Sequence, residues 1–294
     1  MAVARRALST EDRLASAEIS HAVSAPPSHP LDLSQALRLR NPRRADATWW
    51  LLEDGGRPVS TLVCYPLDFA VDGSVVKGYG LGAVATLPDA RKRGFASDLC
   101  RAAIAGAEAE GRSIGLLYSA IPPAYYERLG FRVVPAWRPS CTRPAELAAS
   151  GPHAAWAPVD PRREATTLSA LYESHHRGAH VYRDPARFLR NVELNPGDVY
   201  FGLGAPLLGY VRLAIEDGTV EVVEDVVPEA DRAAVLRSAA RLAVGVGAKA
   251  VEGWFDPCPE VAPFFEDHGR AKTLPMLRGV ANAGSARFHG SDYF

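Results

Sequence analysis

Residues 83–109 of the chain read AVATLPDARKRGFASDLCRAAIAGAEA, and this stretch decides the fold. The run from Ala83 to Thr86 is predicted to be extended, and Pro88 breaks the chain directly after it. Beyond Gly94 the apolar residues recur at helical spacing, and Gly111 follows as a stop signal. The stretch therefore predicts a strand, a short loop and a helix over about residues 94–110.

The loop between this strand and this helix has the composition of a phosphate-binding turn. Residues 91–96 fit the pattern R-x-x-G-x-[G/A]. A helix that begins here directs its free backbone N–H groups and its dipole at one point, and Gly94 and Ala96 leave room for a pyrophosphate. Arg91, Lys92 and Arg93 add positive charge. The pattern is short, so a solvent-exposed basic turn is the alternative.

A second glycine pattern, Gly80-Leu81-Gly82-Ala83-Val84-Ala85, has the spacing of a dinucleotide-binding turn. That motif requires a helix that begins within the glycines. Here Val84, Thr86 and Pro88 favour an extended chain and then a break. The sequence therefore favours a strand at this position over a Rossmann-type turn.

Length and composition limit the classes of protein that fit. The chain has 294 residues, a length typical of two domains, and its formal net charge is −1. A protein that coats nucleic acid usually carries a basic excess, so no nucleic-acid partner is expected. No stretch is apolar for long enough to span a membrane, and no apolar signal region precedes residues 9–12. We therefore expect a cytoplasmic protein with no membrane partner.

The four cysteines are far apart in the sequence and form no C-x-x-C pair. This spacing favours reduced, buried thiols over a disulfide framework or a zinc site. His176 and His180 are four residues apart, a spacing that can bind metal on a helix. They lack an obvious carboxylate or cysteine partner, so the sequence predicts a solvated face and no metal.

The order of predicted elements recurs along the chain. Residues 123–130 (PAYYERLG) lie 139 positions before residues 262–269 (APFFEDHG), and Pro88 lies 140 positions before Pro228. A period of this length indicates a duplicated domain rather than a solenoid, with coincidence in an alanine-rich chain as the alternative. Residues 138–160 are rich in proline, alanine and serine, and we expect them to form the linker.

Tyr125-Tyr126-Glu127-Arg128-Leu129-Gly130-Phe131 follows the glycine loop by about thirty residues. Together the two motifs resemble those of the GCN5-related N-acetyltransferase (GNAT) superfamily over about residues 45–135. The duplicated layout is similar to tandem-GNAT proteins related to the mycobacterial enhanced-intracellular-survival acetyltransferases, and residues 177–184 are similar to the start of their second domain. The chain ends at Phe294, so it is expected to lack the third domain of that group.

The resemblance implies an α/β (α+β) protein of two tandem GNAT folds, each with a mixed, mostly antiparallel central sheet flanked by helices. It implies that residues 1–140 form a catalytic domain that binds acetyl-CoA. Residues 155–294 would then form a degenerate GNAT-like domain. The implied activity is an acetyl-CoA-dependent N-acetyltransferase that acts on a primary amine.

The resemblance also implies the residues of the site. The strand segment Val84, Ala85 and Thr86 would bind the pantetheine arm through its backbone. The loop would bind the pyrophosphate through main-chain amides, and it comprises Arg91, Lys92, Arg93, Gly94, Phe95 and Ala96. Tyr126 would be the general acid that protonates the leaving thiolate, a suitable role for a phenol with a pKa near 10. The alternative for Tyr126 is a core aromatic residue.

The second half departs from the pattern at both motifs. Phe265 stands where Tyr126 would recur, and a phenyl ring has no proton to donate. Residues 228–234 (PEADRAA) replace the glycine loop and include two acids that would repel a pyrophosphate. The sequence therefore predicts that the second half binds no CoA and shapes the acceptor cleft.

The general base is left open by the sequence. Many GNAT enzymes carry a glutamate on the strand before the loop, but residues 75–86 contain no acid. The candidates are Glu53, Asp68, a residue of the second half and the terminal carboxylate. The absence of the strand acid supports an alternative function, a non-catalytic acyl-CoA-binding or regulatory module. The acceptor, a small-molecule or peptide amine, and the oligomeric state are not specified by the sequence.

Overall fold

The computed structural model describes residues 2–26, 28–176, 178–255, 258–266, 273–282, 284 and 286–292. The helices are α1 (Thr10–Ser24), α2 (Leu31–Leu39), α3 (Phe95–Ala109), α4 (Ala124–Glu127), α5 (Pro144–Ala149), α6 (Ala165–His175), α7 (Pro185–Leu194) and α8 (Glu229–Gly245). The strands of the first half are β1 (Ala2–Arg6), β2 (Thr48–Asp54), β3 (Arg57–Val71), β4 (Ser74–Thr86), β5 (Ile114–Ser119) and β6 (Arg132–Val133). The remaining strands are β7 (Ser140–Cys141), β8 (Trp156–Pro158), β9 (His180–Val181), β10 (Val199–Leu203), β11 (Gly209–Glu216), β12 (Thr219–Val226), β13 (Ala250–Gly253) and β14 (Leu274–Arg278).

The strands form two mixed, mostly antiparallel sheets, as the sequence predicted. The first sheet has the order β1-β2-β3-β4-β5-β14-β6, with β9 paired to β3, and the second has the order β7-β13-β12-β11-β10-β8. Each sheet contains one parallel pair, β4 with β5 and β12 with β13. A long helix precedes the second strand of each parallel pair, as a parallel connection requires.

Both faces of the first sheet are buried, and this explains the apolar run in β2. Trp50 and Leu52 pack on the face covered by α3, together with Leu99 and Ala103. Trp49 joins Ile19 of α1 in the cluster on the opposite face. Successive side chains of a strand point to opposite faces, so adjacent tryptophans serve two separate cores.

The two halves exchange their last strands. β14 comes from the end of the chain but lies between β5 and β6 of the first sheet. Its register pairs Met276 with Leu117 of β5 and with Val133 of β6. In the other direction, β7 pairs with β13 of the second sheet through Cys141 and Val251. A division of the chain into residues 1–140 and 155–294 therefore does not separate the two sheets.

The prediction of a linker over residues 138–160 was wrong. This segment contains β7, helix α5 and β8, and α5 packs on α8 with Leu147 fully buried. Its alanines are good helix formers, and Pro144 occupies the first turn of α5, where a missing N–H costs nothing. The prediction for the cysteines is confirmed, because all four are free and buried.

A buried ionic network attaches the end of the chain to the second half. The guanidinium of Arg183 donates to Glu224 at 2.5 Å and to Asp292 at 2.6 Å. Arg212 donates to Asp198 at 2.6 Å and lies 3.3 Å from Glu224. Burial alone would raise the pKa of Glu224, but these two guanidiniums hold it well below its ordinary value. Both buried arginines therefore have close acidic partners.

The exchanged strand gives a test of how the halves depend on each other. Met276 is fully buried in the core that contains Tyr126, so Met276→Ala should lower the free energy of unfolding by about 2–5 kcal/mol. The measurement is urea unfolding followed by fluorescence. Leu274→Ala on the same strand is the control. Leu274 is partly exposed, so this variant should lose less free energy of unfolding. Equal and small losses for both variants would contradict the burial of β14 in the first sheet.

Candidate active site

The central feature of the site is the point where β4 separates from β5. The two strands pair in parallel only from Gly78 to Leu81 of β4. Beyond that point β4 continues to pair with β3, up to Thr86 opposite Ser60. A register shift lies between Thr61 and Val63 of β3. Residues 82–86 therefore have a backbone edge on the β5 side that no described strand covers.

An irregular backbone accompanies this separation. Ala83 has φ 53°, a left-handed conformation that is unfavourable for a residue with a β-carbon. Ala85 is buried against α1, while Val84 packs toward the core beneath α3. The predicted segment Val84, Ala85 and Thr86 thus lies on the open edge, with its side chains anchored on both faces.

The predicted loop lies between this edge and helix α3. Lys92 has φ 60° and Gly94 has φ 86°, so two left-handed residues flank Arg93. Alternation of this kind turns successive N–H groups toward one side and forms an anion-binding nest. Gly94 is the N-cap of α3 and makes no side-chain cap, and no described residue accepts a hydrogen bond from the N–H groups of residues 95–97. The loop and the helix start therefore present free donors together.

The three basic side chains of the loop have different roles. Arg93 forms an ion pair with Asp54 at 2.8 Å, and its guanidinium lies 4.5 Å from the centre of the Phe95 ring. Arg91 donates from Nε to the carbonyl of Thr86 at 3.2 Å, which ties the loop to the end of β4. Lys92 is exposed and has no ion-pair partner among the described residues. Two of these side chains hold the loop in shape.

Tyr126 lies on the short helix α4, which follows β5. Its side chain is 8 % exposed and packs in the same core as Phe95, Leu99 and Met276. Its ring meets Tyr125 edge to face, with centroids 4.8 Å apart. The carbonyl of Tyr126 accepts from the N–H of Phe131 at 3.2 Å, which closes the turn after α4. The YERLGF motif therefore fixes the position of this ring.

The two adjacent phenols differ in their partners. The hydroxyl of Tyr125 accepts a hydrogen bond from Ser97 at 3.2 Å, whereas no described residue is a partner of the Tyr126 hydroxyl. Burial raises the pKa of Tyr126 above the ordinary value of a phenol, and the nearby Cys100 and Tyr125 act in the same direction. The Tyr126 phenol consequently keeps its proton at neutral pH.

The second half has the same layout without the chemical groups. Phe265 directly follows a short 3₁₀ helix (Ala262–Phe264), and its ring packs edge to face on Phe255 at 5.5 Å. Helix α8 begins at Glu229 after Pro228, with acids in its first turn. A cavity of about 650 Å³ lies beside this helix start.

Neither acidic residue proposed as the base lies on the open edge of β4. Glu53 accepts two hydrogen bonds from Arg5, at 2.9 and 2.6 Å. Asp68 pairs across the sheet with Lys77, five residues before Gly82, and its carboxylate lies 3.9 Å from Arg187. The terminal carboxylate at residue 294 lies outside the described residues.

The expectation of a solvated face for His176 and His180 was wrong. His180 is buried, and its Nε2 lies 3.1 Å from Glu173, while His176 lies 2.7 Å from His289 near the end of the chain. Helix α6 ends at His175, so these histidines do not share a helix face. Within the described ranges, no group of three or more His, Cys, Asp or Glu side chains is arranged to hold a metal ion.

None of the described helices is long and apolar enough to cross a bilayer.

Sequence reasoning missed one residue near the separation of the strands. Trp254 of the second half packs on Tyr118 of β5, with ring centroids 5.7 Å apart. Tyr118 directly follows the parallel pairing of β5 with β4, and Trp254 directly follows the parallel pairing of β13 with β12. The contact between the halves could be seen only in three dimensions.

Solved structures with similar folds extend over nearly the whole chain. A probable N-acyltransferase from Enterococcus faecalis is 13 % identical, with a TM-score of 0.71, and covers 95 % of this chain and 72 % of its own. A GCN5-related N-acetyltransferase from Kribbella flavida is 17 % identical, with a TM-score of 0.67 and coverage of 94 % and 71 %. Eis1 from Mycobacterium abscessus is 18 % identical, with a TM-score of 0.62 and coverage of 95 % and 73 %. At these identities the likeness concerns the fold.

The sequence itself matches one family model. No curated protein matches the chain. Residues 6–134 match the model of the acetyltransferase (GNAT) domain, and this range contains the open edge of β4, the loop and Tyr126. The prediction of the family is thus confirmed: residues 6–134 match the GNAT acetyltransferase domain, and the fold of the chain is similar to those of solved N-acetyltransferases.

Proposed function

We propose that the first half transfers an acetyl group from acetyl-CoA to a primary amine by direct attack, with Tyr126 as general acid. The observation that carries the proposal is the set of free donors at residues 92–97, next to the open edge of β4 and on the same domain as a buried, protonated phenol. This arrangement lies within residues 6–134, which match the GNAT acetyltransferase domain.

Binding would use the backbone more than side chains. The uncovered amides and carbonyls of Val84, Ala85 and Thr86 would pair with the pantetheine arm in the manner of an added strand. The N–H groups of the loop and the first turn of α3 would bind the pyrophosphate, assisted by the helix dipole. Lys92 would add an exposed charge nearby.

The amine nitrogen attacks the thioester carbonyl carbon, a C–N bond forms and the C–S bond breaks. The departing thiolate takes the proton of the Tyr126 hydroxyl, and the new amide nitrogen loses its extra proton to water or to a base. Solvent returns a proton to the tyrosinate. Holding both reactants in place would supply much of the acceleration.

A non-catalytic acyl-CoA-binding module is the second candidate. It is favoured by the absence of an acid on β4 and by the engagement of Glu53 with Arg5. Thiol release from acetyl-CoA, measured with and without a panel of primary amines, separates the two. Release that depends on an amine supports transfer, whereas tight binding of acetyl-CoA without release supports the module.

The role of Tyr126 is tested by Tyr126→Phe. We expect kcat to fall by about 100-fold or more, because the thiolate loses its proton donor, while CoA affinity changes only a few-fold. Tyr125→Phe is the matched control, since it removes the adjacent phenol and should leave kcat near that of the wild type. An unchanged kcat in Tyr126→Phe would exclude the assigned role.

The raised pKa of Tyr126 predicts the alkaline limb of the pH profile. The phenol is active when protonated, and burial raises its pKa, so kcat should not fall through loss of this proton below about pH 10. The measurement is kcat with both substrates saturating from neutral to alkaline pH. A falling limb near about pH 8 that vanishes in Tyr126→Phe would contradict the assignment.

The loop is tested by the charge pair Gly94→Glu and Gly94→Gln. A side chain here meets open space, with Asp98 Oδ2 4.0 Å away, so both variants should fold with similar strain at φ 86°. Gly94→Glu places a carboxylate at the proposed pyrophosphate site and should abolish CoA binding in calorimetry. Gly94→Gln should retain more affinity, and equal affinities would argue against an anion at this position.

A further inference from the structure

The end of α2 and the turn after it carry an unusual concentration of charge. Residues 38–44 read RLRNPRR, with four arginines and no acid. Arg38 lies in the last turn of α2, and a short 3₁₀ helix, Pro42–Arg44, follows. The family motifs described above lie elsewhere in the chain and do not account for these arginines.

Two of these arginines have buried nitrogen atoms without a hydrogen-bond partner among the described residues. Nε and Nη2 of Arg38 and Nη1 of Arg44 are buried, and none has a hydrogen-bond partner among the described residues. Nε of Arg44 donates to the hydroxyl of Tyr65 at 3.2 Å, and its guanidinium lies 5.6 Å from the Trp49 ring centre. A buried guanidinium has five N–H donors to satisfy, so several are left without an acceptor here.

The electrostatic surroundings of Arg38 are also unfavourable for its positive charge. Burial, together with the positive charge of Arg44, lowers the pKa of Arg38 to about 10. Neither group forms an ion pair with a described carboxylate. Two guanidiniums therefore lie near each other without a carboxylate partner in the part of the chain that the structure describes.

The buried arginines of the second half have a different environment from Arg38 and Arg44. Arg183 and Arg212 are more deeply buried than Arg38, yet both have close carboxylates, with Glu224 shared between them. A buried guanidinium is unfavourable unless it is paired and hydrogen-bonded. Arg38 and Arg44 differ from these two, because several of their buried nitrogens have no partner among the described residues.

Arg44 lies on the face of the first sheet that α1 covers, because it contacts Trp49 and Tyr65 of that face. Leu39, next to Arg38, packs in the cluster that includes Trp49, Tyr65 and Ala83. Tyr65 is paired with Gly80, so the Arg44–Tyr65 contact lies two residues before the open segment that begins at Gly82. At about 3.3 Å per residue, two residues correspond to roughly 7 Å along the strand. Tyr65 and Arg43, which directly precedes Arg44, line a cavity of about 540 Å³ between β3 and α7.

We propose that Arg38 and Arg44 bind the oxyanion of the acyl acceptor, so that the acceptor is a primary amine that also carries a carboxylate or phosphate group. The guanidinium fork matches the geometry of both oxyanions. The choice of acceptor rests on the proposed function, whereas the anion site itself rests only on the arginines. The near-zero net charge of the whole chain does not oppose this, because the positive charge is local.

The anion site is tested with inorganic phosphate as the probe. Calorimetry and thermal unfolding are run with saturating CoA, so that an anion-binding loop at residues 91–96 is already filled. Phosphate should bind the wild type and raise its Tm, and Arg38→Met and Arg44→Met should each weaken binding by about 10- to 100-fold. Arg40→Met is the matched control, since Arg40 is exposed on the same helix end.

Stability without anion distinguishes a binding role from a structural one. In phosphate-free, sulfate-free buffer, Arg38→Met removes an unpaired buried charge, so its Tm should equal or exceed that of the wild type. A lower Tm, with a phosphate response equal to that of Arg40→Met, would overturn the anion site.

The acceptor class is tested with pairs of amines that differ in the oxyanion. Lysine is compared with cadaverine, and phosphoethanolamine with ethanolamine. The pair whose members differ more in kcat/KM indicates whether a carboxylate or a phosphate is recognised. The oxyanion member should have a kcat/KM about 10- to 100-fold higher, and Arg38→Met should remove most of that difference by lowering kcat/KM for this member. Equal turnover within both pairs overturns the acceptor class and leaves the proposed function standing. Acetyl-CoA binding with no turnover of any amine contradicts the proposed function, and the phosphate titration then decides the anion site alone.

Discussion

The separation of β4 from β5 is the constraint on which the rest of the structure depends. Within a sheet, a strand edge that is left unpaired exposes a row of backbone donors and acceptors. Here the register shift in β3 and the left-handed Ala83 let β4 stay paired on one side while its other edge opens. The loop and α3 follow directly from that edge, so a change in the separation would move every group of the candidate site.

The exchange of strands makes this arrangement a property of the whole chain. β14 supplies Met276 to the core that holds Tyr126, although the two residues are 150 positions apart by their numbering. β7 makes the reverse contribution to the second sheet. The second half, which has Phe265 in place of a tyrosine, thus completes the sheet on which the candidate site is built, whatever else it does.

The buried arginines of this chain lie in two kinds of environment, one with a carboxylate partner and one without a described carboxylate partner. In the second half Arg183 and Arg212 share Glu224, and Asp292 ties the end of the chain into the same network. In the first half Arg44 lies beside a tyrosine and a tryptophan, and neither Arg44 nor Arg38 forms an ion pair with a described carboxylate. An internal anion satisfies the first pair of arginines, and the second pair has the chemistry to accept an external one.

Much of the fold and of the candidate site could be predicted from the sequence, because local rules govern them. Pro88, Gly94 and the apolar spacing of residues 99–107 predicted a strand, a loop and a helix, and the family motif located Tyr126. Local patterns could not show that residues 138–160 fold against α8, because alanine and proline are typical of both linkers and helix starts. They also could not show the burial of His180, the contact of Trp254 with Tyr118, or the exchange of β14. These depend on pairing between residues far apart in the sequence, so the sequence by itself determined the local elements and the chemical groups, and the tertiary structure decided which of them meet.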